Sequence, residues 1–281
     1  MSAHDMMLFL YVFVDDTLKL LEPAFQRRLL PRSPRGRKAK LTPAELITLE
    51  LFRLWLHTTT VKDFHKEIKE HYQAEFPRLP AYTTYIEDRQ GILVLLIGMV
   101  KLLIQQNRQT TPMPLPMVTD ALPIAVCDNH RIAANKVFQG LAKRGKSTMG
   151  WFYGFKLHVC IDAQGKLLSI RLTPGNTADV TMLESLLSGL QGIAVADAGY
   201  ISKTLQDKFG RQGLLILTPI RKNMKKLMAA WQHACLKQRQ RIESLFSLLD
   251  YRSNVRWSLL RSPVAFVVQL FSIVLVYSLT H

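Results

Sequence analysis

Residues 151–173, WFYGFKLHVCIDAQGKLLSIRLT, contain the pattern that decides the fold of this chain. Two runs rich in aromatic and aliphatic residues lie on either side of the turn-forming segment Asp162–Gly165. Runs of this length around a turn that contains glycine are typical of two antiparallel strands. We therefore predict a β-hairpin near the centre of the chain.

Segments on both sides of the hairpin extend this pattern into a sheet. A further strand is predicted before it, at 117–126. After it, helices alternate with short buried strands, at 177–189, 192–196, 202–212, 214–218 and 237–250. Three strands that can pair antiparallel, followed by strand–helix units, predict an α/β fold with a mixed five-stranded sheet flanked by helices.

The N-terminal region, 1–110, has a helical pattern instead. It contains a basic arm at 27–40, in which half of the residues are Lys or Arg. Helices are predicted behind the arm, over 43–57, 61–74 and 82–104. Thr42, Pro43 and Glu45 form the signature of a capped helix start. The region is consistent with an all-α, helix-turn-helix-like DNA-binding domain, and a helical cap on the sheet domain is the alternative.

Prolines 112, 114 and 116 indicate a stiff linker into a second domain, 111–281, which holds the sheet and a C-terminal helix. The two longest apolar runs, 92–104 and 264–279, are shorter than the roughly 20 residues that a membrane span needs. We therefore interpret both runs as buried helices and expect no membrane partner.

The charge of the chain points to a polyanionic partner. It has 37 Lys and Arg against 21 Asp and Glu, a formal net charge of +16. Nucleic acid is the commonest partner of such a protein, and an anionic membrane surface is the alternative. The three cysteines lie far apart, which argues against a disulfide framework or a zinc site and favours a reducing, cytoplasmic location.

Three acidic residues hold comparable positions in the predicted sheet domain. Asp120 lies in the first strand, Asp197 follows the fourth strand, and Glu243 lies on the helix after the fifth. If they converge, their charges repel one another, and two hard cations such as Mg²⁺ or Mn²⁺ relieve that repulsion. A metal pair can activate water or a 3′-hydroxyl toward a phosphodiester. For Glu243, a solvated ion pair with Arg239 one turn earlier is the alternative.

Four segments, VTD (118–120), 154–187, AVADAGYIS (194–202) and RQRIESLFSLL (239–249), resemble the catalytic core of DDE transposases from bacterial insertion sequences. The resemblance covers about residues 115–255. It implies a ribonuclease-H-like fold and a catalytic and metal-binding triad of Asp120, Asp197 and Glu243. It departs from many relatives at Leu236 and Asp250, where those relatives carry Tyr and Lys.

The activity implied by the resemblance is metal-dependent cleavage at insertion-sequence ends and transfer of the 3′-hydroxyl into target DNA. The implied partners are double-stranded DNA, at the element ends and the target, and a second copy of the chain when DNA is bound. The implied location is the bacterial cytoplasm, with the nucleoid. A ribonuclease-H-like nuclease without strand transfer and a domesticated DNA-binding protein are the alternatives.

Basic segments near the acids and in the arm are predicted to neutralise DNA phosphates, although solvated surface is the usual meaning of such runs. The candidate DNA-binding residues are Arg35, Arg37, Lys38, Lys40, Lys143, Arg144, Lys146, Arg221, Lys222, Lys225, Lys226, Arg239 and Arg241.

Other polar and aromatic residues receive structural interpretations. Trp151 and Trp257 are expected to pack in the core, with base stacking as the alternative. His158 is expected to bind a neighbouring group within the sheet, and Asn176 and Asp179 to form a turn and a helix cap.

Overall fold

The computed structural model describes residues 2–21, 39–58, 60–111, 116–200, 202–219, 228–253 and 260–279. Their contacts divide them into two compact units. The first comprises the described residues within Met1–Leu102, Tyr251–Ser253 and Leu260–Thr280. The second comprises those within Leu103–Asp250.

The helices, in chain order, are α1 (Ala3–Leu20), α2 (Pro43–Trp55), α3 (Val61–His71), α4 (Tyr82–Gln90), α5 (Leu93–Thr110), α6 (Asp179–Leu187), α7 (Lys203–Arg211), α8 (Ala230–Lys237), α9 (Gln240–Ser253) and α10 (Pro263–Ser278). The strands are β1 (Pro116–Cys127), β2 (Lys143–Ser147), β3 (Gly150–Ile161), β4 (Leu167–Pro174), β5 (Gly192–Val195) and β6 (Leu214–Leu217). Short 3₁₀ helices lie at Asn129–Ala134 and Ala198–Tyr200.

The start of α2 has the capping box that the sequence predicts. The Thr42 hydroxyl accepts a hydrogen bond from the Glu45 backbone N–H, and the Glu45 carboxylate accepts one from the Thr42 N–H. Pro43 occupies the first turn, where its missing N–H costs nothing. The cap thereby fixes where the most deeply buried helix of the first unit begins.

The C-terminal helix α10 packs against α2 and α4 and belongs to the first unit. This segment was predicted to belong with the sheet in 111–281, so the structure differs here. The reason is that most residues of α10 are buried, including Phe266, Val268 and Ile273, and α2 presents apolar residues such as Phe52 and Leu54. Burying these apolar faces against each other stabilises the helical unit.

A buried ionic cluster lies among the helices of the first unit. The Glu50 carboxylate accepts hydrogen bonds from Arg53 (2.9 Å) and from Arg89 (2.7 Å), and all three side chains are almost fully buried. Burial alone would raise the pKa of Glu50, but the two guanidinium groups lower it to about 2. Glu50 is therefore ionised in the folded protein.

The apolar runs at 92–104 and 264–279 form buried helices, which confirms their interpretation. Within the described residues, no single helix is long and apolar enough to cross a membrane. Among the described helices, only α4 and α5 taken together reach that length and composition, and they are bent by 47° at the intervening break. The predicted helix over 82–104 is in fact this pair.

The six strands of the second unit form one mixed sheet. Its order is β2-β3-β1-β5-β6, and β4 also pairs with β3. β2 pairs with the first residues of β3 and β4 pairs with the last, so both lie along the same edge of that strand. β1 is antiparallel to β3 and parallel to β5, and β5 is parallel to β6. The mixed sheet with flanking helices confirms the predicted α/β class.

The count of five strands was wrong, because β2 is an additional strand. Its sequence, KRGKS, has no alternation of apolar residues, so no strand was predicted there. Glycines allow the close pairing in this region. A Cβ on Gly145 would lie 2.1 Å from the Gly175 carbonyl oxygen, and one on Gly154 would lie 1.9 Å from that of Ile124.

Two other local predictions differ from the structure. The predicted helix over 237–250 is preceded by a separate helix, α8, and begins at Gln240. Ala178 is the cap position of α6 and makes no side-chain cap bond, whereas Asp179 is the first helical residue. Asp179 instead forms an ion pair with Lys156 on β3.

Candidate active site

Asp120 and Asp197 lie at the same level of two neighbouring parallel strands. Val118 of β1 is paired with Val195 of β5, and each acid lies two residues beyond its valine. β5 ends at Val195, and the chain enters a 3₁₀ helix directly after Asp197. Each carboxylate accepts a hydrogen bond from the next backbone N–H, that of Ala121 at 2.8 Å or of Ala198 at 2.7 Å. The sheet therefore fixes both carboxylates at one place.

A single guanidinium group bridges these two carboxylates. Nη1 of Arg239 lies 3.2 Å from Oδ1 of Asp197, and its Nη2 lies 3.7 Å from Oδ2 of Asp120. Arg239 immediately precedes α9, so the start of this helix places the cation beside the two aspartates. From the sequence, Arg239 was predicted to bind DNA or Glu243, and its link to the two aspartates was not predicted.

The environment of Asp120 disfavours its charged form. Burial raises the pKa of Asp120 to about 6, and the negative charges of Asp197 and Asp179 act in the same direction. The Ala121 N–H and the Arg239 guanidinium oppose the shift only in part. Burial and the neighbouring acids thus favour the neutral form of Asp120, and a divalent ion bound beside it would favour the charged form.

Glu243 lies in the first turn of α9, four residues after Arg239, and its side chain is exposed. In the described part of the chain, no three His, Cys, Asp or Glu side chains are close enough to form a metal-binding group. The structure thus brings together two of the three predicted acids. The third acid, Glu243, lies on α9, and Arg239, the residue before α9, bridges the other two.

A second polar cluster extends from β3 to the start of α6. Lys156 donates to Asp179 at 2.9 Å and to the Thr177 carbonyl at 3.1 Å. His158 is fully buried and its Nε2 lies 2.8 Å from the Thr173 hydroxyl, which confirms that it binds a neighbour within the sheet. Burial lowers the pKa of His158 to about 4, so it is neutral near pH 7. This cluster positions α6 against the sheet.

The candidate DNA-binding residues that the structure describes are exposed, except for the partly buried Arg239; they are Lys40, Lys143, Arg144, Lys146, Arg239 and Arg241. The remaining candidates lie outside the described residues; they are Arg35, Arg37, Lys38, Arg221, Lys222, Lys225 and Lys226. Trp257 also lies outside them.

Trp151 is 54% exposed, so its expected place in the core was wrong. It lies near the start of β3, opposite Lys146 of the polar strand β2. β2, with the sequence KRGKS, has no apolar side chain that could cover Trp151. Its one buried residue is Gly145.

The site can be compared with known proteins. A family model described as the transposase DDE domain matches residues 115–263, more than half of the chain. A Brucella ovis protein named as a transposase for insertion sequence element IS6501 is 49% identical over 47 residues, which are 16% of this chain and 36% of that protein. The chain thus matches about a third of the length of this relative.

The solved structures include a piggyBac transposase synaptic complex with hairpin DNA. The match has a TM-score of 0.51 at 11% identity and covers 99% of this chain and 74% of the piggyBac chain. At that identity it shows a likeness of fold alone. The match to the Mos1 strand transfer complex has a TM-score of only 0.23. The family match contains the two bridged aspartates, Arg239 and Glu243, and by that match the chain belongs to the transposase DDE domain family.

Proposed function

We propose that this protein is an insertion-sequence transposase, which cleaves DNA at element ends and joins the freed 3′-hydroxyl to target DNA. The observation that carries the proposal is the convergence of Asp120, within β1, and Asp197, just beyond β5, on one cation inside the matched family domain. The strand order, with three antiparallel strands before two parallel ones, supports a ribonuclease-H-like assignment.

The donor set fits Mg²⁺ or Mn²⁺. Hard divalent ions prefer carboxylate oxygens, and Asp120 and Asp197 already face a shared cation. We propose that these two residues and Glu243 hold two ions. When bound, the metal supplies Lewis acidity, which activates water or a 3′-hydroxyl and stabilises the leaving oxygen.

The residues of the chain have separate tasks in this proposal. Asp120 and Asp197 are held by backbone N–H groups, so their carboxylates are oriented before DNA arrives. Arg239 lies beside them, and its guanidinium group can move to a DNA phosphate. We propose a DNA-bound homodimer as the working form, because transposition requires two element ends in one complex.

Cleavage and joining are tested with Asp120→Asn, Asp197→Asn and Glu243→Gln. Each variant is expected to lose cleavage in Mg²⁺ by at least about 100-fold while its DNA affinity changes little, because each acid holds metal and the basic surface holds phosphate. The assay measures nicked and joined products on element-end duplexes, beside a gel-shift measurement of affinity.

Asp207→Asn is the matched control, because Asp207 is an exposed aspartate on α7. Wild-type cleavage by any one of the three variants removes that residue from the triad. Cleavage by the wild-type protein without joined product would instead assign the nuclease activity.

A further inference from the structure

The β2–β3 hairpin presents a cationic and aromatic surface that the proposed active site does not use. The guanidinium carbon of Arg144 lies 5.1 Å from the centroid of the Trp151 ring, and the ammonium of Lys146 lies 5.8 Å from it. Both cations are exposed, and more than half of the tryptophan is accessible to solvent. Residues 143–151 contain no acidic side chain.

The backbone holds this surface in a defined shape. Lys146 is directly opposite Trp151, and Arg144 is directly opposite Tyr153. The side-chain amide of Asn129 donates to the Trp151 carbonyl at 2.7 Å. Gly145, between the two cations, packs so closely on Gly175 that no side chain fits there. The three side chains are therefore displayed by a sheet and not by a loose loop.

The surface lies on the same face of the sheet as the acids. Asp120 is paired with Val159, and side chains alternate along β3, so Trp151 and Val159 point to the same side. Trp151 and Val159 are eight positions apart in β3, which is a distance of about 26 Å along the strand at about 3.3 Å per residue. A B-form duplex covers that distance in about eight base pairs.

We propose that Arg144, Lys146 and Trp151 bind a single-stranded DNA segment, with an unpaired base stacked on the tryptophan and the two cations on flanking phosphates. Duplex phosphates alone would use the cations but leave the indole exposed, because bases within a duplex cover one another's faces. An unpaired base offers a free aromatic face that completes the surface. This inference rests on the proposed function only for the identity of the partner as DNA.

The test measures binding of the full chain, in EDTA, to a labelled 12-nucleotide oligo-dT and to an abasic 12-mer of the same charge. The wild-type protein is expected to bind oligo-dT about five- to 150-fold more tightly, the range for stacking of one base. Trp151→Leu should bring this ratio close to one, and Trp151→Phe should retain part of it. Equal affinity of the wild-type protein for the two oligomers, or an unchanged ratio in Trp151→Leu, overturns the proposal.

Trp231→Leu is the matched control, because Trp231 is 49% exposed and no cation–π contact is recorded for it in the described part of the chain. It should keep the wild-type ratio. Arg144→Gln with Lys146→Gln should weaken binding of both oligomers and lower the salt slope by about 1.4 units. This second measurement tests the surface even if Trp151→Leu does not fold, and an unchanged slope contradicts the proposal.

The experiment needs neither metal nor element ends. If the wild-type protein binds oligo-dT more tightly than the abasic oligomer but does not cleave element ends, only the proposed function is overturned. If it cleaves element ends but binds the two oligomers equally, only this inference is overturned.

Discussion

At the scale of single residues, Arg239 links the helix and the strands that form the candidate site. Its guanidinium group occupies the position between Asp120 and Asp197 in which a divalent cation would be attracted. It is only partly buried, so water and salt weaken its ion pairs. Arg239 is therefore a counter-ion that a more highly charged ion can displace.

Arg239→Gln is expected to increase the affinity of the protein for Mn²⁺ about fivefold, because a competing ion pair of up to about 1 kcal/mol is removed. The measurement is a Mn²⁺ titration of the DNA-free protein, followed by electron paramagnetic resonance of the free ion. Arg241→Gln is the control, because Arg241 is exposed and bonds to Gln238. Weaker Mn²⁺ binding by Arg239→Gln would mean that Arg239 holds the carboxylates in place and does not compete with the metal.

At the scale of secondary-structure elements, the buried cluster of Glu50, Arg53 and Arg89 joins α2 to α4. The Glu50 carboxylate is inaccessible to solvent and has a cation on either side. Replacing it by a neutral residue leaves two buried positive charges without their partner. Breaking a buried ion pair in this way costs far more than the pair itself contributes.

Glu50→Gln is expected to destabilise the helical unit by about 3–5 kcal/mol. Because the pKa of Glu50 is lowered to about 2 from an ordinary 4.5, its contribution is fully present above pH 4.5 and is lost as the pH falls toward 2. Chemical unfolding followed by circular dichroism at pH 7 and at pH 3 measures both effects.

The difference between Glu50→Gln and the wild type should be smaller at pH 3 than at pH 7. Glu70→Gln, an exposed residue of α3, should behave as the wild type at both pH values. A difference that does not change with pH would indicate that the loss comes from packing and not from charge.

The secondary-structure elements also show which parts of the fold could be predicted from the sequence alone. The capping box at Thr42, the hairpin of β3 and β4 and the short buried strands are local patterns, and these predictions are confirmed. β2 was not predicted, because its pairing depends on close backbone contacts at Gly145 rather than on apolar alternation.

The same distinction holds for the site. The convergence of Asp120 and Asp197 could be predicted only on the condition that the first and fourth predicted strands are neighbours, which β1 and β5 are. The bridge by Arg239 could not, because it depends on where α9 begins in space. The triad with Glu243 stays a prediction.

At the scale of the whole molecule, the net charge of +16 favours association with a polyanion, and the proposed polyanion is DNA. Much of that charge lies in the arm at 27–40, which has seven cationic residues and no acidic one. Each phosphate contact releases counterions, so the charge determines how steeply affinity falls with salt. We therefore expect the arm to add affinity for DNA of any sequence.

Neutralising Arg35, Arg37, Lys38 and Lys40 to Gln is expected to weaken duplex binding for all sequences and to lower the salt slope by about 0.9 unit for each lost contact. Fluorescence anisotropy over about 50 to 200 mM salt measures the slope. Replacing Lys62, Lys66 and Lys69, which are exposed on α3, by Gln provides the comparison for charge alone. An equal loss of slope per charge in both variants would mean that the arm has no special role.

The edges of the sheet have a consequence for contacts between copies of the protein. An exposed strand with a long row of unpaired backbone groups invites another copy to add a strand, which leads to aggregation. Here the outer edge beside β3 is shared by two separate strands, of five and eight residues, and β6 at the other edge has four. Within the described residues, β2 and β6 offer only short ladders, so the eight-residue β4 is the edge strand along which another copy could pair over the greatest length.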